Sequence, residues 1–169
     1  ASGGFLQLID AIHDGAIRNG FALVRPPGHH ATSSVPQGFC LFNHVAIAAM
    51  HLRQRYQRVA IVDFDVHHGN GTEEIFFEDP NVFYASLHES PWYPGTGAAT
   101  DIGRGPGKGY TANLPLAAGA GDAEARVVCN DLLLPLLYAF EPEFVLVSAG
   151  FDGHRRDPLG NLMYTEAGF

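Results

Sequence analysis

The stretch of residues 63–71 combines carboxylates and imidazoles at a spacing that suits a metal ion. It reads Asp-Phe-Asp-Val-His-His-Gly-Asn-Gly and follows the apolar, β-branched-rich run 58–62, which is typical of a buried parallel strand. Side chains alternate along a strand, so Asp63, Asp65 and His67 are predicted to share one face. Burying these groups together is unfavourable unless a cation compensates their charge, and divalent metals accept carboxylate and imidazole ligands.

Asp65 and His67 are the first two predicted metal ligands. At a spacing of two along a strand their Cα atoms are roughly 6.6 Å apart, which lets both side chains reach one ion. Asp152 follows the apolar run 144–148 and is the predicted third ligand. Three protein ligands leave one position for water, which is the arrangement of a catalytic site. The alternative is a surface strand end with solvated acids and histidines, and the apolar run before Asp63 argues against it.

His29 and His30 are the candidates for acid–base chemistry at such a metal. They follow a rigid turn, Pro26-Pro27-Gly28. A bound metal lowers the pKa of its water, and a neighbouring base removes the proton. Imidazole titrates near neutral pH, so adjacent histidines are suited to act as base and acid. A histidine pair alone is more often a surface feature, and the ligand candidates elsewhere are what favour the catalytic interpretation.

Alternating strand and helix patterns supply the elements that position these residues. Predicted helices cover residues 5–17, 41–56, 72–77 and 122–140, and predicted strands cover residues 21–25, 58–62, 82–87, 110–116 and 144–148. We expect Thr72 or Asn70 to cap the third helix and Asp122 to cap the fourth. Strands separated by helices predict one α/β domain, in which helices cover both faces of a parallel sheet.

Four of the predicted strands end in titratable residues. The histidine pair follows the strand 21–25, and the Asp/His run follows the strand 58–62. His88 and Glu89 follow the strand 82–87, and Asp152 follows the last strand. Ligands bind beyond the carboxyl ends of such strands, so these groups are expected to converge on one rim. The Gly- and Pro-rich stretch 90–109 is predicted to be a functional or disordered loop.

The composition is that of an ordinary globular domain. The chain has 169 residues, 46% hydrophobic and 17% charged, which fits a single domain with a sizeable core. A formal net charge of -8 argues against a nucleic-acid-binding surface. Cys40 and Cys129 are expected to be reduced thiols, because their spacing matches no paired-cysteine motif. The sequence shows neither a signal peptide nor a run long enough for a transmembrane helix.

Several motifs connect these residues to a known family. They are Arg25-Pro-Pro-Gly-His-His-Ala31, Gly38-Phe-Cys40, Asp63-Phe-Asp-Val-His-His-Gly-Asn-Gly71, Ser86-Leu-His88, Pro94-Gly-Thr-Gly97 and Ser148-Ala-Gly-Phe-Asp-Gly153. In this order they resemble the zinc-dependent histone deacetylases and their bacterial relatives, which include acetoin-utilisation proteins and acetylpolyamine amidohydrolases. The resemblance covers essentially the whole chain. Asn70 and the Arg-Pro-Pro-Gly-His-His form resemble the class II branch, since class I members typically have Asp at that position.

The resemblance implies a role for each candidate residue. Zn²⁺ would be bound by Asp65, His67 and Asp152. His30 would be the general base and acid and His29 would tune it, with Asp63 orienting His29 and Asn70 contacting His30. The walls of an acyl-lysine channel would be Gly38, Phe39 and Tyr93, or Trp92 in place of Tyr93. A structural K⁺ would lie near Asp63, Asp65, His67, Ser86 and Leu87, partly on backbone carbonyls. His68 and His88 are expected to be structural.

Two parts of the family pattern are missing from the sequence. The transition-state tyrosine of the family lies in a Gly-Gly-Tyr type motif, and Tyr164 follows Asn161-Leu-Met163, which does not match it. The N-terminal strand of the family and the loop whose acid grips the substrate backbone are also missing. We therefore expect residues 1–169 to be one deacetylase domain in the form of an internal fragment, lacking the N-terminal part and the Gly-Gly-Tyr region.

Three rival interpretations are weaker. A binuclear manganese site of the arginase and agmatinase type would need a second Asp where Gly69 stands. The run Gly103-Arg-Gly-Pro-Gly-Lys-Gly109 lacks both the Gly-Lys-Ser/Thr motif and the G-x-G-x-x-G spacing of nucleotide-binding loops. A catalytically silent acyl-lysine-binding module would fit the missing tyrosine, but the histidine pair and all three ligands are retained.

The sequence thus predicts a three-layer arginase/deacetylase-like α/β fold and a zinc-dependent amidohydrolase. The expected substrate is N-acetyl-lysine in histones or other proteins, and the alternative is an acetylpolyamine or another small acylated amine. The expected partners are those acetylated peptides, proteins or amines, with no direct nucleic acid and no membrane, and an oligomer is compatible with the sequence. The expected location is the cytoplasm, or the nucleus as well if the source is a eukaryote.

Overall fold

Four parallel strands form the centre of the fold. The computed structural model describes all residues from Ala1 to Phe169. The strands are β1 (Val59–Asp63), β2 (Val82–Glu89), β3 (Thr111–Leu116) and β4 (Phe144–Ser148). Their order in the sheet is β3-β2-β1-β4, and every neighbouring pair is parallel. All carboxyl ends therefore lie at one edge, and the end of β1 is flanked by the ends of β2 and β4.

Helices cover both faces of this sheet, as predicted. They are α1 (Ser2–His13), α2 (His44–Leu52), α3 (Asn70–Phe76), α4 (Asp122–Val128) and α5 (Leu134–Phe140). A π-helical turn, Cys129–Leu133, joins α4 to α5, and a short 3₁₀ turn covers Gly105–Gly107. The result is the three-layer α/β architecture that the sequence predicts.

Alternation along the strands divides the core into two layers. Ile61 and its register partner Tyr84 pack with α1, α2 and α3 on one face. Ala60 and its partner Phe83 pack with Leu133 and the α5 residues on the other face. The strands β1 and β2 lie in the middle of the sheet and are apolar on both faces, which is the usual pattern of a covered parallel sheet.

The predicted strand 21–25 is wrong. These residues form no regular strand in the structure, and Leu23 is 90% exposed. A β-rich sequence forms a strand only where a neighbouring strand can pair with it, and none lies beside this segment. The prolines that follow also lack the N–H groups a ladder needs. The histidine pair therefore stands on a loop rather than at the end of a strand.

The helix boundaries and caps also differ from the prediction. The first two helices are shorter than expected, and the second begins after Asn43, whose side chain accepts a hydrogen bond from Ala46 N. The third helix begins at Asn70, with Gly69 in the capping position, so neither Asn70 nor Thr72 is its cap. A residue caps a helix only if its backbone adopts the capping conformation, so a favourable side chain at a neighbouring position is not sufficient.

The helix predicted at 122–140 is interrupted and is not capped by Asp122. Gly121 occupies the capping position, and its N–H donates to the Glu124 carboxylate at 2.8 Å. The Asp122 carboxylate accepts hydrogen bonds from Thr165 instead. Pro135 has no N–H for the helix ladder, and the π-helical turn immediately before α5 accommodates that loss.

Cys40 and Cys129 are free thiols, as expected. Burial raises the pKa of both, which disfavours the reactive thiolate form.

None of the helices combines the length and the apolar character that crossing a membrane would require.

Candidate metal and acid–base site

The predicted ligands Asp65, His67 and Asp152 come together at the carboxyl edge of the sheet. Their ligand atoms all lie within 4.8 Å of one another. The Nδ1 atom of His67 lies 2.9 Å from Asp65 Oδ1 and 3.0 Å from Asp152 Oδ2. These side chains are largely but not fully buried, so the cluster is open on one side. This arrangement can hold one metal ion.

The ligands are positioned by turns and not by the strand itself. We predicted Asp63, Asp65 and His67 on one strand face, but β1 ends at Asp63. Beyond it the chain folds back on its own acids, because Asp65 N donates to Asp63 Oδ1 at 3.2 Å and His67 N donates to Asp65 Oδ1 at 2.9 Å. Short acidic side chains stabilise such turns by binding the backbone two residues further on. The ligand spacing therefore arises from turn geometry.

Asp152 is brought to the same place by the neighbouring strand. It lies four residues beyond β4, which pairs with β1 so that Ser148 is the register partner of Asp63. Its Oδ1 atom accepts a hydrogen bond from Val66 N at 3.0 Å, which ties the two loops together. A Cβ atom on Gly150 would lie 2.6 Å from the Cα atom of Asp65, so only glycine allows this approach.

The donor set of the cluster fits a divalent cation. Burial favours the neutral form of His67, but hydrogen bonds to Asp152 and Asp65 outweigh it and raise the pKa of His67 to about 10. The two carboxylates therefore favour a positive charge beside His67, which a bound metal ion would supply. With a cation there the ring would be neutral and would offer its lone pair. Two carboxylate oxygens and one imidazole nitrogen suit zinc among other metals.

His29 is buried against a carboxylate. Its Nδ1 atom lies 2.8 Å from Oδ2 of Asp63, whose side chain is fully buried. Burial lowers the pKa of His29, but the charge and hydrogen bond of Asp63 outweigh it and raise the pKa to about 9. The Tyr84 hydroxyl donates to the same carboxylate oxygen at 3.3 Å, so the pair is held from two sides. His29 is therefore set up to carry a positive charge.

His30 has a neutral partner and a different electrostatic environment. Its Nδ1 atom lies 2.9 Å from Asn70 Oδ1, so this nitrogen carries the proton and Nε2 is left with its lone pair. Burial, followed by the adjacent charge of His29, lowers the pKa of His30 to about 4. The two rings lie 4.0 Å apart, and the His30 ring is 5.9 Å from that of His67. His30 is thus the member of the pair that is free to accept a proton.

The predicted channel residues divide into two groups. The Tyr93 ring packs edge-on against His30 at 5.1 Å and against His67 at 6.0 Å, so it borders the site. Gly38 also lies against His30, since its ideal Cβ would be 2.6 Å from Cγ of the His30 ring. Phe39 follows at a positive φ of 65° and is 86% exposed. Trp92 donates instead to Leu159 O at 2.9 Å, which leaves Tyr93 as the wall beside the histidines.

The residues predicted from the end of β2 do not join the metal cluster. His88 and Glu89 belong to the strand itself and are buried. His88 contacts Ser86 and Gly97, and Glu89 binds Asn161. Asp63 and Ser86 are register partners in adjacent strands. Of the four predicted strand ends, only those of β1 and β4 provide members of the ligand cluster.

Sequence reasoning missed three residues that fix the histidine loop. The Asn43 side chain donates to Ala31 O at 3.1 Å and to Thr72 Oγ1 at 3.1 Å, while Thr72 N donates to His29 O at 3.1 Å. Tyr84 binds the carboxylate that holds His29. Asn43 precedes an apolar helical run and carries a cap signal. Thr72 carries only a helix-cap signal and Tyr84 carries none, because the partners that they bind lie far away in the sequence.

Comparisons with known proteins agree with this geometry. The model of the histone deacetylase domain family matches residues 1–169. The chain is 49% identical over 175 residues to "Histone deacetylase 14, chloroplastic" of Arabidopsis thaliana, covering 99% of this chain and 41% of that protein. It is 49% identical over 174 residues to "Polyamine deacetylase HDAC10" of Rattus norvegicus, covering 98% of this chain and 29% of that protein.

A solved structure gives the same result. The crystal structure of the HDA15 HD domain superposes with a TM-score of 0.95 at 47% identity, and the match covers 99% of this chain and 50% of that chain. The chain thus spans half or less of the length of these relatives. Fold, site geometry and sequence identity over the whole chain lead to one conclusion: this chain belongs to the histone deacetylase family.

Proposed function

We propose that the protein hydrolyses an acetamide in a zinc-dependent reaction and that Asp65, His67 and Asp152 hold the zinc ion. One observation carries the proposal: a three-ligand metal cluster lies beside two histidines whose pKa values are displaced in opposite directions. Paired titratable groups tuned apart in this way are typical of acid–base sites. A structural metal site has no need of them.

The two histidines have different roles: His30 transfers protons, and His29 carries a positive charge. When bound, the zinc ion would polarise the acyl carbonyl and acidify water. His30 then accepts the proton of the attacking water, because its Nε2 is unprotonated, and passes it to the leaving amine. His29 stays protonated against Asp63 and adds positive charge next to the reaction. Tyr93 and Gly38 border His30 and exclude water from around an extended acyl side chain, and Phe39 extends that wall toward solvent.

The proposed substrate is N-acetyl-lysine in a protein or peptide. Its long apolar stem suits a site bordered by an aromatic ring and a glycine. An acetylated polyamine is the second candidate, because one relative at 49% identity is named a polyamine deacetylase. Both substrates carry the same acetamide on an alkyl chain, so the metal and the histidines serve either. They differ in the group at the far end of the alkyl chain, which the protein must recognise.

We also propose a structural K⁺ ion near the zinc ligands. The residues that would surround it are Asp63, Asp65, His67, Ser86 and Leu87. Asp63 and Ser86 are adjacent across the β1–β2 ladder and are both fully buried. A buried carboxylate next to other acids is stabilised by a nearby cation. Replacing KCl by equimolar NaCl should then lower the melting temperature, and an unchanged temperature would remove the ion from the proposal.

The donor that stabilises the oxyanion is proposed to lie outside residues 1–169. Tyr164 is packed among Val66, Leu116, Ala125 and Leu162. Its hydroxyl is buried without a hydrogen-bond partner, so it does not serve the site. Tyr93 packs edge-on against the histidines. A Gly-Gly-Tyr segment beyond Phe169 is the proposed source of the missing donor.

The test is a deacetylation panel on the full-length, zinc-loaded protein. It compares acetyl-lysine peptides with N-acetylated polyamines at matched concentrations, with a deacetylated product standard for each. Higher kcat/KM on the peptides supports the first candidate, and the opposite order supports the second. Binding of acetyl-lysine without turnover of any acetamide would identify a silent binding module and contradict the proposal.

A further inference from the structure

The wall residue Tyr93 stands on a loop that has little backbone support. Residues 91–100 form no backbone–backbone hydrogen bond to any helix or strand, and their internal backbone bond joins Gly95 N to Trp92 O. Tyr93 itself is 48% exposed. A loop of this kind is normally drawn from the least stable part of a fold. Its position beside His30 must therefore be imposed by side chains.

Two buried histidines outside the proposed machinery reach this loop. His68 Nδ1 lies 2.8 Å from the Thr96 hydroxyl, and His88 Nε2 donates to Gly97 O at 3.0 Å. The two rings lie 4.8 Å apart, and both side chains are at most 1% exposed. The loop backbone packs directly on them, since a Cβ on Gly97 would be 2.7 Å from His68 Cγ.

Each histidine is held in turn by the sheet and the helix layer. The Ser86 hydroxyl lies 2.9 Å from His88 Nδ1 and donates to it, because Nε2 carries the proton given to Gly97. The Nε2 atom of His68 lies 3.3 Å from the Glu73 carboxylate on α3, which is within ion-pair distance but without hydrogen-bond geometry. Asn113 on β3 binds the same carboxylate through Nδ2 at 2.5 Å. The loop is thus connected to three elements of the rigid core.

We propose that His68 and His88 are positioning residues that hold the Tyr93 loop against the acyl channel and so set the affinity for the substrate. They do not touch the reacting atoms. The inference rests on the proposed deacetylase function for its kinetic consequence, but the tether itself is a property of the fold. Trp92, which binds Leu159 O, is a third anchor of the same loop.

Thr96→Val tests the tether without altering either histidine. The substitution keeps the shape of the side chain, removes the hydroxyl that His68 contacts, and lies on an exposed position. Thr100→Val is the matched control, because Thr100 is exposed on the same loop and is not among the residues bonded to the histidines. Thr96→Ser retains the hydroxyl and should restore the native behaviour.

Two measurements on the full-length protein separate the tether from the activity. Exchange of the Gly95 amide, which donates to Trp92 O within the loop, should be faster in Thr96→Val and unchanged in Thr100→Val and Thr96→Ser. On an acetyl-lysine peptide, KM should rise roughly threefold to tenfold, the effect of losing one neutral hydrogen bond, while kcat and zinc content stay constant. Trp92→Phe should add to the rise in KM when combined with Thr96→Val.

The outcomes are distinct. Unchanged exchange in Thr96→Val would overturn the tether, whether or not the protein is a deacetylase. Faster exchange with an unchanged KM would overturn its role in substrate affinity. A fall in kcat as large as the rise in KM would do the same. A wild-type protein without deacetylase turnover would overturn the proposed function, while the exchange data would still decide the tether.

Discussion

The Nδ1 atom of His30 lies 2.9 Å from the Oδ1 atom of Asn70, although the two residues are 40 positions apart in the sequence. The neighbouring His29 has the Asp63 carboxylate in the equivalent place. The neutral amide of Asn70 accepts a hydrogen bond from His30 without adding negative charge. The imidazolium form of His30 therefore loses its proton far more easily than that of His29. Burial and the neighbouring charge of His29 lower the pKa of His30 to about 4, whereas the Asp63 carboxylate raises the pKa of His29 to about 9.

Replacing Asn70 by Asp should raise the pKa of His30, because a carboxylate beside Nδ1 stabilises the imidazolium. His30 acts as a base only when it is neutral, so activity is lost as the pH falls below its pKa. A raised pKa therefore moves the acidic limb of the kcat/KM profile to higher pH. The measurement is a pH–rate profile of Asn70→Asp and of the wild-type protein.

Asn19→Asp provides the control for this experiment, since Asn19 is exposed and the change adds the same charge. Its profile should coincide with that of the wild type. An acidic limb in Asn70→Asp that is unchanged, or that moves to lower pH, would show that His30 is not the group whose titration limits the reaction.

Asp152→Ala should remove the metal ion. The remaining ligands, Asp65 and His67, come from a single turn, and two protein ligands rarely retain zinc. We expect the zinc content by elemental analysis to fall close to zero, with activity lost in parallel. Asp131→Ala, an exposed acid on the π-helical turn, should retain one zinc ion per chain. Full zinc occupancy in Asp152→Ala would exclude this residue as a ligand.

His30→Ala should lower kcat by about 10²–10⁴, the usual range for loss of a positioned proton-transfer group. The zinc content should stay near normal, because His30 is not in the ligand cluster. Stopped assays of turnover together with elemental analysis separate the two effects. Retained turnover would assign the base role to another group, and His29 would be the first to examine by the same substitution.

Gly150→Ala should destabilise the fold and distort the metal site together. The new methyl group would lie 2.6 Å from the Cα atom of Asp65, and the backbone there cannot move without displacing the ligand. Overpacking of this kind costs about 1–3 kcal/mol of unfolding free energy. Denaturant titration measures the loss, and zinc affinity should fall with it.

Gly3→Ala is the matched control for that substitution. Gly3 lies in α1 with no atom within 4 Å of its ideal Cβ, so the change should leave the stability equal or slightly higher. An equal loss of stability in both variants would mean that the approach to Asp65 is not the cause.

The residues of the candidate site could be picked out because they stand in short, local motifs. The ligands Asp65 and His67 and the pair His29–His30 are adjacent or two apart, and their residue types define what they can bind. The parallel sheet was predictable for a similar reason, since each strand is a continuous apolar run between helical patterns. The prediction of a strand at 21–25 was wrong because a strand needs a neighbouring strand to pair with, and a local sequence pattern does not show whether one is present.

By itself, the sequence determined which groups can do chemistry and which layers can form. Only the tertiary structure decided that Asn70 lies behind His30, that Tyr93 rather than Trp92 borders the site, and that His68 and His88 hold its loop. The physical reason is that these contacts join separate segments, such as His30 with Asn70 and Trp92 with Leu159, and form only when the layers pack together. The packing of the layers is a property of the whole core, and no local stretch of residues encodes it.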